Sequence, residues 1–370
     1  MSIATPEATT TAPSRRWVPR RVLLTKAASE LPHADEIVRR ASAAGVDQIE
    51  VVGHRIVTPA GASERETYAW AKSTLAVVVA PPSARKPQPI PPSADWRIDL
   101  ARGCPAHCQY CYLAGSLTGP PLTRVFANLD EVLAPVGQLA GQGSVTSGTS
   151  ARGHEGTTFE LSCYTDPLGI EHVTGSLATA VQRVGTGAYG DGVSLRFTTK
   201  FDDVEELAAL DHGGRTRARF SVNAAEVAGR FDGGTAPVPA RLRALATLAA
   251  AGYPVGLTIA PVMPVEGWRE SYGRLLDDVR DALAPVAALR PVDLTVEVIT
   301  HRFTPGSRDV LLSWYPRTHL EMDTEVRSEK RSKFGGVKYV YPRETMRELR
   351  SFFEVEVAGR LPGTPLLYFT

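Results

Sequence analysis

The chain has 370 residues, of which 43% are hydrophobic and 22% are charged, and its formal net charge at pH 7 is +1. This composition is that of a globular protein long enough for one large domain and a small additional unit, and its near-zero charge excludes a global attraction to nucleic acid, so any polyanion site must be a local patch. Four cysteines and no apolar run of about 18 residues argue against a secreted disulfide scaffold or a membrane-spanning helix, so the expected location is the cytoplasm.

The N-terminal region is predicted to be a disordered tail followed by a small α/β unit. Residues 1–20 form the tail, which lacks the early basic region and apolar core of a signal peptide. Residues 21–80 form the unit, with strands at 22–24, 48–52 and 75–79 and a helix at 34–44. Residues 81–94 are rich in proline and therefore predict an extended connector.

From residue 95 to the C-terminus, β-prone apolar runs alternate with amphipathic stretches. The predicted strands are 96–101, 158–163, 194–199, 218–222, 255–262 and 294–299, and the predicted helices lie near 129–139, 173–184, 204–210, 239–250 and 272–283. This alternation predicts a parallel sheet, open or closed, with ligands at the carboxyl ends of its strands. Residues 141–157 are rich in glycine, serine and threonine and predict a mobile surface insertion.

Three cysteines follow the first of these strands at C-x3-C-x2-C spacing, in Cys104-Pro-Ala-His-Cys108-Gln-Tyr-Cys111. Three thiolates can hold three irons of a [4Fe-4S] cluster, whose structural sites normally use four, and leave the fourth iron open for chemistry. The alternative is a closed zinc site of Cys3His type with His107 or His154 as the fourth ligand.

The fourth cysteine, Cys163, lies far from this triplet, at the end of an apolar run. One interpretation is a small buried hydrophobic side chain, which free cysteine often is. The other is a free thiol that faces a substrate.

A basic, aromatic-containing segment lies near the C-terminus. Between Arg327 and Arg350 there are eight basic residues and only three acidic ones, a local excess that would attract phosphates. Gly335-Gly336 suggests a tight turn between two strands, so the segment predicts a β-hairpin followed by a helix from Arg343. The alternative is a solvated basic helix with no ligand.

Several motifs together resemble those of the spore photoproduct lyase family of radical S-adenosylmethionine (SAM) enzymes. The matching segments are Cys104-Pro-Ala-His-Cys-Gln-Tyr-Cys-Tyr-Leu113, Cys163-Tyr-Thr-Asp-Pro-Leu-Gly-Ile-Glu-His172, Arg196-Phe-Thr-Thr-Lys-Phe201, Arg217-Ala-Arg-Phe-Ser-Val-Asn223, Thr300-His-Arg-Phe303 and Lys333-Phe-Gly-Gly-Val-Lys-Tyr-Val-Tyr-Pro342. The resemblance runs from about residue 95 to the C-terminus and is loose in the N-terminal unit.

The resemblance implies an α/β fold, a partial (β/α)6 radical SAM barrel at residues 95–370 that carries a C-terminal DNA-binding hairpin and helix. It also implies a DNA repair lyase that reverts 5-thyminyl-5,6-dihydrothymine to two thymines. In that reaction a reduced cluster cleaves SAM, the 5'-deoxyadenosyl radical abstracts hydrogen from C6 of the lesion, and the bond joining the thymines breaks. The expected partners are DNA containing a thymine lesion and an electron donor such as a flavodoxin or ferredoxin.

The same resemblance implies the site residues. Cys104, Cys108 and Cys111 would hold the [4Fe-4S] cluster, Cys163 would be the hydrogen donor to the thymine radical, and Tyr110 and Tyr112 would relay hydrogen back to SAM. The implied SAM contacts are Lys200, Ser221 and Ala260. The implied DNA contacts are Lys333, Phe334, Lys338 and Arg331.

Some positions leave the site assignments or the function open. Phe334 stands where the family usually has tyrosine and therefore loses a hydroxyl. Lys200 is alternatively a solvated charge at the start of a helix, Tyr110 a shield of the metal from water, and His301 a substrate contact or a cap of the barrel. The alternative functions are a radical SAM enzyme acting on another damaged pyrimidine or modified nucleotide, and a non-catalytic nucleic-acid-binding protein with a structural metal.

Overall fold

Two sheets of mostly parallel strands organise the chain, of which the computed structural model describes residues 16–117, 119–146, 149–331 and 336–370. The strands are β1 Arg21–Thr25, β2 Gln48–Val52, β3 Thr74–Val78, β4 Gln88–Ile90, β5 Ala94–Ile98, β6 Ala101–Arg102, β7 His107–Cys108, β8 Thr123–Phe126, β9 Thr157–Leu161, β10 Val193–Thr199, β11 Thr216–Val222, β12 Asp232–Gly233, β13 Val255–Val262, β14 Leu294–Thr300, β15 Ser328–Arg331, β16 Val337–Val340 and β17 Leu366–Phe369. The helices are α1 Pro32–Ala43, α2 Glu64–Lys72, α3 Leu129–Leu133, α4 Pro135–Gln138, α5 Glu171–Thr174, α6 Ser176–Gly185, α7 Glu205–Ala208, α8 Ala225–Phe231, α9 Val238–Ala251, α10 Trp268–Ala287, α11 Pro305–Trp314 and α12 Arg343–Arg360.

The larger sheet has the order β17-β14-β13-β11-β10-β9-β5-β4, and all of its pairs are parallel except β4 with β5. The six strands predicted from the sequence all lie in it, and helices connect most of them along the chain. This curled, mostly parallel sheet confirms the predicted α/β partial barrel.

The two faces of this sheet differ because side chains alternate along a strand. Phe159, Phe197 and Phe220 belong to the apolar core, whereas each has one neighbour in the chain that is buried and charged. These three charged neighbours, Glu160, Arg196 and Arg219, form an ion-pair network with Glu297 of β14.

This network keeps the buried Glu297 carboxylate ionised. Burial works to raise the pKa of Glu297, but the guanidiniums of Arg219 and Arg196 outweigh it and hold the pKa at about 2. The Tyr368 hydroxyl on β17 donates to the same carboxylate at 2.8 Å, so the network links the last strand to the sheet.

The smaller sheet has the order β2-β1-β3-β8-β6. The predicted strands and helix of the N-terminal unit are confirmed as β1, β2, β3 and α1. The sheet also takes β8 and the short β6 from beyond the proline-rich connector, and β6 ends at Arg102, directly before the cysteine loop. The connector itself contains β4, which pairs with β5.

The insertion predicted at residues 141–157 is anchored rather than mobile in the part that the structure describes. Thr146 and Arg152 are buried. The Asp95 carboxylate accepts hydrogen bonds from the backbone N–H of Val145 at 2.7 Å and of Thr158 at 2.9 Å, and also from the Thr146 hydroxyl. The prediction was wrong because a buried carboxylate from another strand satisfies this polar backbone, which composition alone does not reveal.

The C-terminal elements follow the prediction. Strands β15 and β16 pair antiparallel with Lys330 opposite Lys338, and α12 begins at Arg343. None of the helices in the described ranges is long and apolar enough to cross a membrane.

Candidate active site

The three-cysteine loop begins where β6 ends and is fixed at both sides by backbone hydrogen bonds. Gly103 has a φ of 82° and donates its N–H to the Tyr164 carbonyl at 2.8 Å. A Cβ at this position would lie 2.2 Å from the Leu122 carbonyl oxygen, so only glycine fits. Further along, β7 pairs with β12, which places His107 and Cys108 beside Asp232 and Gly233.

The thiols of this loop lie in a low-dielectric environment. Burial raises the pKa of Cys104 to about 12, against an opposing effect of Lys72, and burial also raises the pKa of Cys108. The Lys72 ammonium donates to the Cys104 carbonyl at 2.8 Å and to the Ala106 carbonyl. Buried thiols of this kind become thiolates when a metal compensates their charge, and three thiolates on one loop are the donor set that an iron–sulfur cluster requires.

The two histidines considered for a zinc site have other neighbours. His107 Nδ1 lies 3.0 Å from the Tyr68 hydroxyl. His154 is largely exposed, and its Nε2 lies 3.9 Å from Asp293. Across the described part of the chain, no group of three or more His, Cys, Asp or Glu side chains is arranged to hold a single metal ion.

The three residues expected to contact SAM come together around one carbonyl group. The Ala260 carbonyl oxygen lies 3.4 Å from Lys200 Nζ and 3.5 Å from Ser221 Oγ. Lys200 directly follows β10, Ser221 lies in β11 and Ala260 in β13, so the cluster forms at neighbouring strands of the larger sheet. This is the strand end at which parallel α/β proteins bind their ligands.

Asp232 connects these residues to the cysteine loop and was not found from the sequence. Its carboxylate accepts a hydrogen bond from the Tyr110 hydroxyl and forms ion pairs with Arg241 at 2.8 Å and Lys200 at 3.3 Å. Burial, followed by the charge of Arg241, lowers the pKa of Lys200 to about 7. A single aspartate after a helix carries no sequence signal of its own, so only the structure identifies it.

Cys163 follows a strained backbone position. Ser162 has a φ of 59°, a left-handed conformation that is uncommon for any residue other than glycine. Its N–H donates to the Ile98 carbonyl at 2.7 Å, and its hydroxyl accepts from the Leu100 N–H at 3.0 Å. Strain that surrounding bonds enforce in this way is typical of functional sites.

The Cys163 thiol is held in its neutral form. Burial raises its pKa well above the usual thiol value, and the negative charges of Glu160 and Asp99 act in the same direction. A neutral thiol keeps the S–H bond that hydrogen-atom donation requires.

The motif that follows Cys163 ties its loop to the SAM residues. Asp166 accepts hydrogen bonds from the Lys200 N–H at 2.7 Å, the Thr199 hydroxyl at 2.8 Å and the Gly169 N–H at 3.2 Å. Through Gly103 and Tyr164 on one side and Asp166 and Lys200 on the other, the Cys163 loop therefore contacts both the cysteine loop and the SAM residues.

The two tyrosines of the cysteine loop differ in environment. Tyr110 is partly buried, with its ring 5.4 Å from Lys200 Nζ. Tyr112 is 61% exposed as a whole residue. Desolvation of its hydroxyl nevertheless raises the pKa of Tyr112, and the charges of Cys163 and Cys111 act in the same direction.

Two of the predicted DNA contacts, Arg331 and Lys338, lie on the hairpin of β15 and β16. Lys333 and Phe334 lie outside the described residues. The Arg331 side chain is 79% exposed and pairs with Glu329 at 3.0 Å. Lys338 is partly buried, and burial, Arg302 and Lys330 lower its pKa.

Two residues near this hairpin, Arg327 and His301, contact each other. Arg327 donates to the His301 carbonyl at 3.0 Å, lies 3.1 Å from His301 Nδ1, and stacks on the Tyr341 ring at 3.6 Å. Burial and the Arg327 charge lower the pKa of His301 to about 3. Arg327 is therefore unavailable to phosphates, and His301 anchors the hairpin to the barrel.

Comparison with known proteins shows similarity over nearly the whole chain. Residues 17–370 match the family model described as spore photoproduct lyase. The spore photoproduct lyase of Geobacillus sp. (strain Y412MC61) is 36% identical over 355 residues, which cover 96% of this chain and 99% of that protein. The enzyme of the same name from Bacillus subtilis (strain 168) is 35% identical with the same coverage.

Solved structures agree with the sequence comparison. A variant of spore photoproduct lyase with dinucleoside spore photoproduct matches with a TM-score of 0.85 and 34% identity, over 96% of this chain and 100% of that chain. A second variant, with bound AdoMet and dinucleoside spore photoproduct, matches with a TM-score of 0.84 and 33% identity over the same shares of both chains.

Proposed function

This chain belongs to the spore photoproduct lyase family, and we propose on that basis that it is a radical SAM lyase that reverts 5-thyminyl-5,6-dihydrothymine in DNA to two thymines. The observation that carries the proposal is the convergence of three loops. The loop of the neutral thiol Cys163 is bonded to the cysteine loop through Gly103 and Tyr164 at 2.8 Å, and to the SAM residues through Asp166 and Lys200 at 2.7 Å.

The residues fit the two cofactors of the family. Cys104, Cys108 and Cys111 would hold the [4Fe-4S] cluster. Lys200, Ser221 and Ala260 would contact SAM, with the ammonium facing a carboxylate and the hydroxyl facing a ribose. When bound, the cluster and SAM supply the radical that removes hydrogen from C6 of the lesion.

The chain's own residues then control the fate of the thymine radical. Cys163 donates a hydrogen atom to it, so that the S–H bond breaks, a C–H bond forms and a thiyl radical remains on Cys163. Tyr112 and Tyr110, whose hydroxyl is bonded to Asp232, would then pass a hydrogen atom to the Cys163 thiyl radical from the nucleoside that SAM cleavage leaves, so that the thiol is restored. Burial of the thiol supports this role because a thiolate has no hydrogen to donate.

DNA would reach the site through the C-terminal hairpin. Arg331 and Lys338 lie on its two strands and would contact phosphates, while Lys333 and Phe334 would lie at the tip and wedge the lesion out of the base stack. Extruding a damaged base pair costs less than extruding an intact one. An electron donor such as a flavodoxin or ferredoxin would supply the electron that the cluster needs.

The test is anaerobic repair by the reconstituted, dithionite-reduced protein with SAM and a synthetic spore photoproduct dinucleotide. We expect release of thymine dinucleotide, which chromatography measures. Formation of 5'-deoxyadenosine without thymine would contradict the lesion assignment and favour another damaged pyrimidine or modified nucleotide.

A separate substitution tests the role of Cys163 as hydrogen donor. Cys163→Ala should retain the cluster and SAM cleavage, because the thiol belongs to neither cofactor's set of contacts, but it should give mostly wrongly quenched products. Wild-type thymine yield from this variant would refute the role of Cys163.

A further inference from the structure

A cavity of about 610 Å³ lies on the outer side of the cysteine loop. Its wall is aromatic, formed by Tyr68, Trp314 and Tyr315, and two arginines, Arg65 and Arg317, line it as well. None of its lining residues belongs to the proposed SAM or lesion contacts. The cavity is therefore a second feature of the cluster region, separate from the reaction site.

The aromatic wall is connected to the cluster ligands by direct contacts. The Tyr68 hydroxyl lies 2.6 Å from the Tyr315 hydroxyl and 3.0 Å from His107 Nδ1, and His107 directly precedes Cys108 in β7.

Helix α2 makes this connection rigid. It carries Arg65 and Tyr68 at the cavity, and its last residue, Lys72, donates to the Cys104 carbonyl at 2.8 Å. The helix begins with a capping box in which Ser63 and Glu66 bond each other's backbone N–H. A partner bound at the cavity would thus contact an element that also holds the cluster loop.

The cavity lining carries two arginines, Arg65 and Arg317, and one acidic residue, Glu64, so its charge is positive overall. Arg65 and Arg317 are both exposed, and neither has an ion-pair partner within the described ranges of the chain. Most other arginines of the barrel, such as Arg196 and Arg219, are paired. Because the chain as a whole is nearly neutral, such a local patch determines which partner is steered to this face.

We propose that this cavity is the docking site of the electron donor, a small acidic one-electron carrier protein. The inference rests on the proposed radical SAM function, which requires one electron from outside. In the step, the reduced carrier loses one electron and the cluster gains it, with no proton or group transferred. Electron-transfer encounters use small, weak interfaces, for which an aromatic cavity with two free cations is sufficient.

The first test is the rate of cluster reduction by a reduced acidic flavodoxin, followed by the loss of cluster absorbance in stopped flow at low salt. Arg65→Glu/Arg317→Glu should lower the second-order rate about tenfold, because steering of this kind changes association rates by 10-fold or more. The difference in rate between the double variant and the wild type should shrink as salt is added. The exposed-surface control is Arg243→Glu/Arg274→Glu on α9 and α10, which should match the wild type.

Two measurements separate docking from damage to the cluster. Iron content, and reduction by photoreduced deazaflavin, should be equal in all proteins, since an acidic residue in the first turn of α2 is compatible with the helix. The proposal would be overturned if the rate of reduction by flavodoxin were unchanged in the double variant. It would also be overturned if the Arg243→Glu/Arg274→Glu control were slowed as much.

The second test uses the wild-type holoprotein. Adding flavodoxin should protect residues 64–72 and 313–318 from hydrogen exchange, and protection confined to other segments would overturn the proposal. Neither test contains lesion DNA. A protein that passes both but fails to repair the lesion would refute the proposed lyase and leave the docking site established.

Discussion

Ser162 is a single residue whose backbone conformation decides where Cys163 lies. A left-handed φ of 59° places the Cys163 side chain after the strand end, and the bond from the Leu100 N–H to the Ser162 hydroxyl holds this conformation. Ser162 is 2% exposed, so water cannot replace the hydroxyl.

Two substitutions separate the hydroxyl from the backbone strain. Ser162→Ala loses the acceptor of a buried N–H and should lower the free energy of unfolding by about 1–3 kcal/mol. Ser162→Gly loses the same acceptor but relieves the left-handed strain, so its loss should be about 1 kcal/mol smaller. The measurement is the urea midpoint at constant m-value. If Ser162→Gly were less stable than Ser162→Ala, the result would contradict backbone strain at residue 162.

At the residue scale, the sequence identified side chains with distinctive chemistry and missed those that hold them. The cysteines were found because their spacing is itself a signal, and the structure brings Lys200, Ser221 and Ala260 together as the resemblance implied. Asp232, which contacts Lys200, Arg241 and Tyr110, was missed because its role depends on contacts between distant segments.

The hairpin of β15 and β16 shows what a count of charged residues leaves out. Counting charges treated Arg327 and Arg331 as equivalent basic residues. In the structure the Arg327 side chain is 1% exposed and paired with Glu321, whereas Arg331 is largely exposed. The backbone of Phe303 and Tyr339 adds a β-bridge between hairpin and barrel.

The two arginines should therefore respond differently to substitution by alanine. Arg327→Ala leaves the His301 carbonyl without its buried donor and should destabilise the protein by about 2–3 kcal/mol. Arg331→Ala should leave stability unchanged and reduce the slope of log affinity against log salt for lesion DNA by about 0.9. Thermal unfolding measures the change in stability, and DNA titrations over a salt series measure the change in slope.

Arg243→Ala, at an exposed position of α9, is the control for both measurements. The interpretation fails if Arg331→Ala destabilises the protein as much as Arg327→Ala, or if the salt slope is the same in Arg331→Ala and the control.

Helix α2 shows why some elements were missed. Residues 63–66 read Ser-Glu-Arg-Glu, which is the capping-box pattern, but the helix of nine residues that follows is short and weakly apolar. Strands β6 and β8 were missed for a different reason. Strand β8 pairs with β3, which lies about 50 residues earlier in the chain, and β6 pairs with β8, and such distant pairing leaves no local periodicity.

At the scale of the whole molecule, the smaller sheet combines strands of the N-terminal unit with strands from beyond the connector, and both parts of the chain contact the cysteine loop. Strand β6 belongs to the smaller sheet and leads directly into the cysteine loop, and Lys72 at the end of α2 bonds that loop. The domain division, in which the N-terminal unit ends at residue 80 and the barrel begins at residue 95, remains a proposal. The cysteine loop is contacted by residues from both sides of this division.

The distribution of buried carboxyl groups also gives the whole molecule a pH dependence. Burial raises the pKa of Glu171 to about 8, although the N–H groups of Leu177 and Ala178 at the start of α6 donate to it at 2.8 Å. Between the unfolded pKa near 4.5 and the folded value, the native state binds more protons than the unfolded state, so this group lowers stability as pH rises. Glu297, with its pKa at about 2, has the opposite sign and adds stability that is lost only below pH 4.5.

Glu171→Gln should remove the first of these contributions, because an amide does not titrate. We expect the free energy of unfolding of this variant, relative to the wild type, to increase from pH 5 to pH 8, since the wild type alone must then keep a charge buried. Urea unfolding at both pH values measures the difference, and Glu226→Gln, at an exposed position of α8, should show none. A relative stability that falls over this range would mean that the two N–H groups at the start of α6 outweigh burial and that the Glu171 carboxylate stabilises the fold.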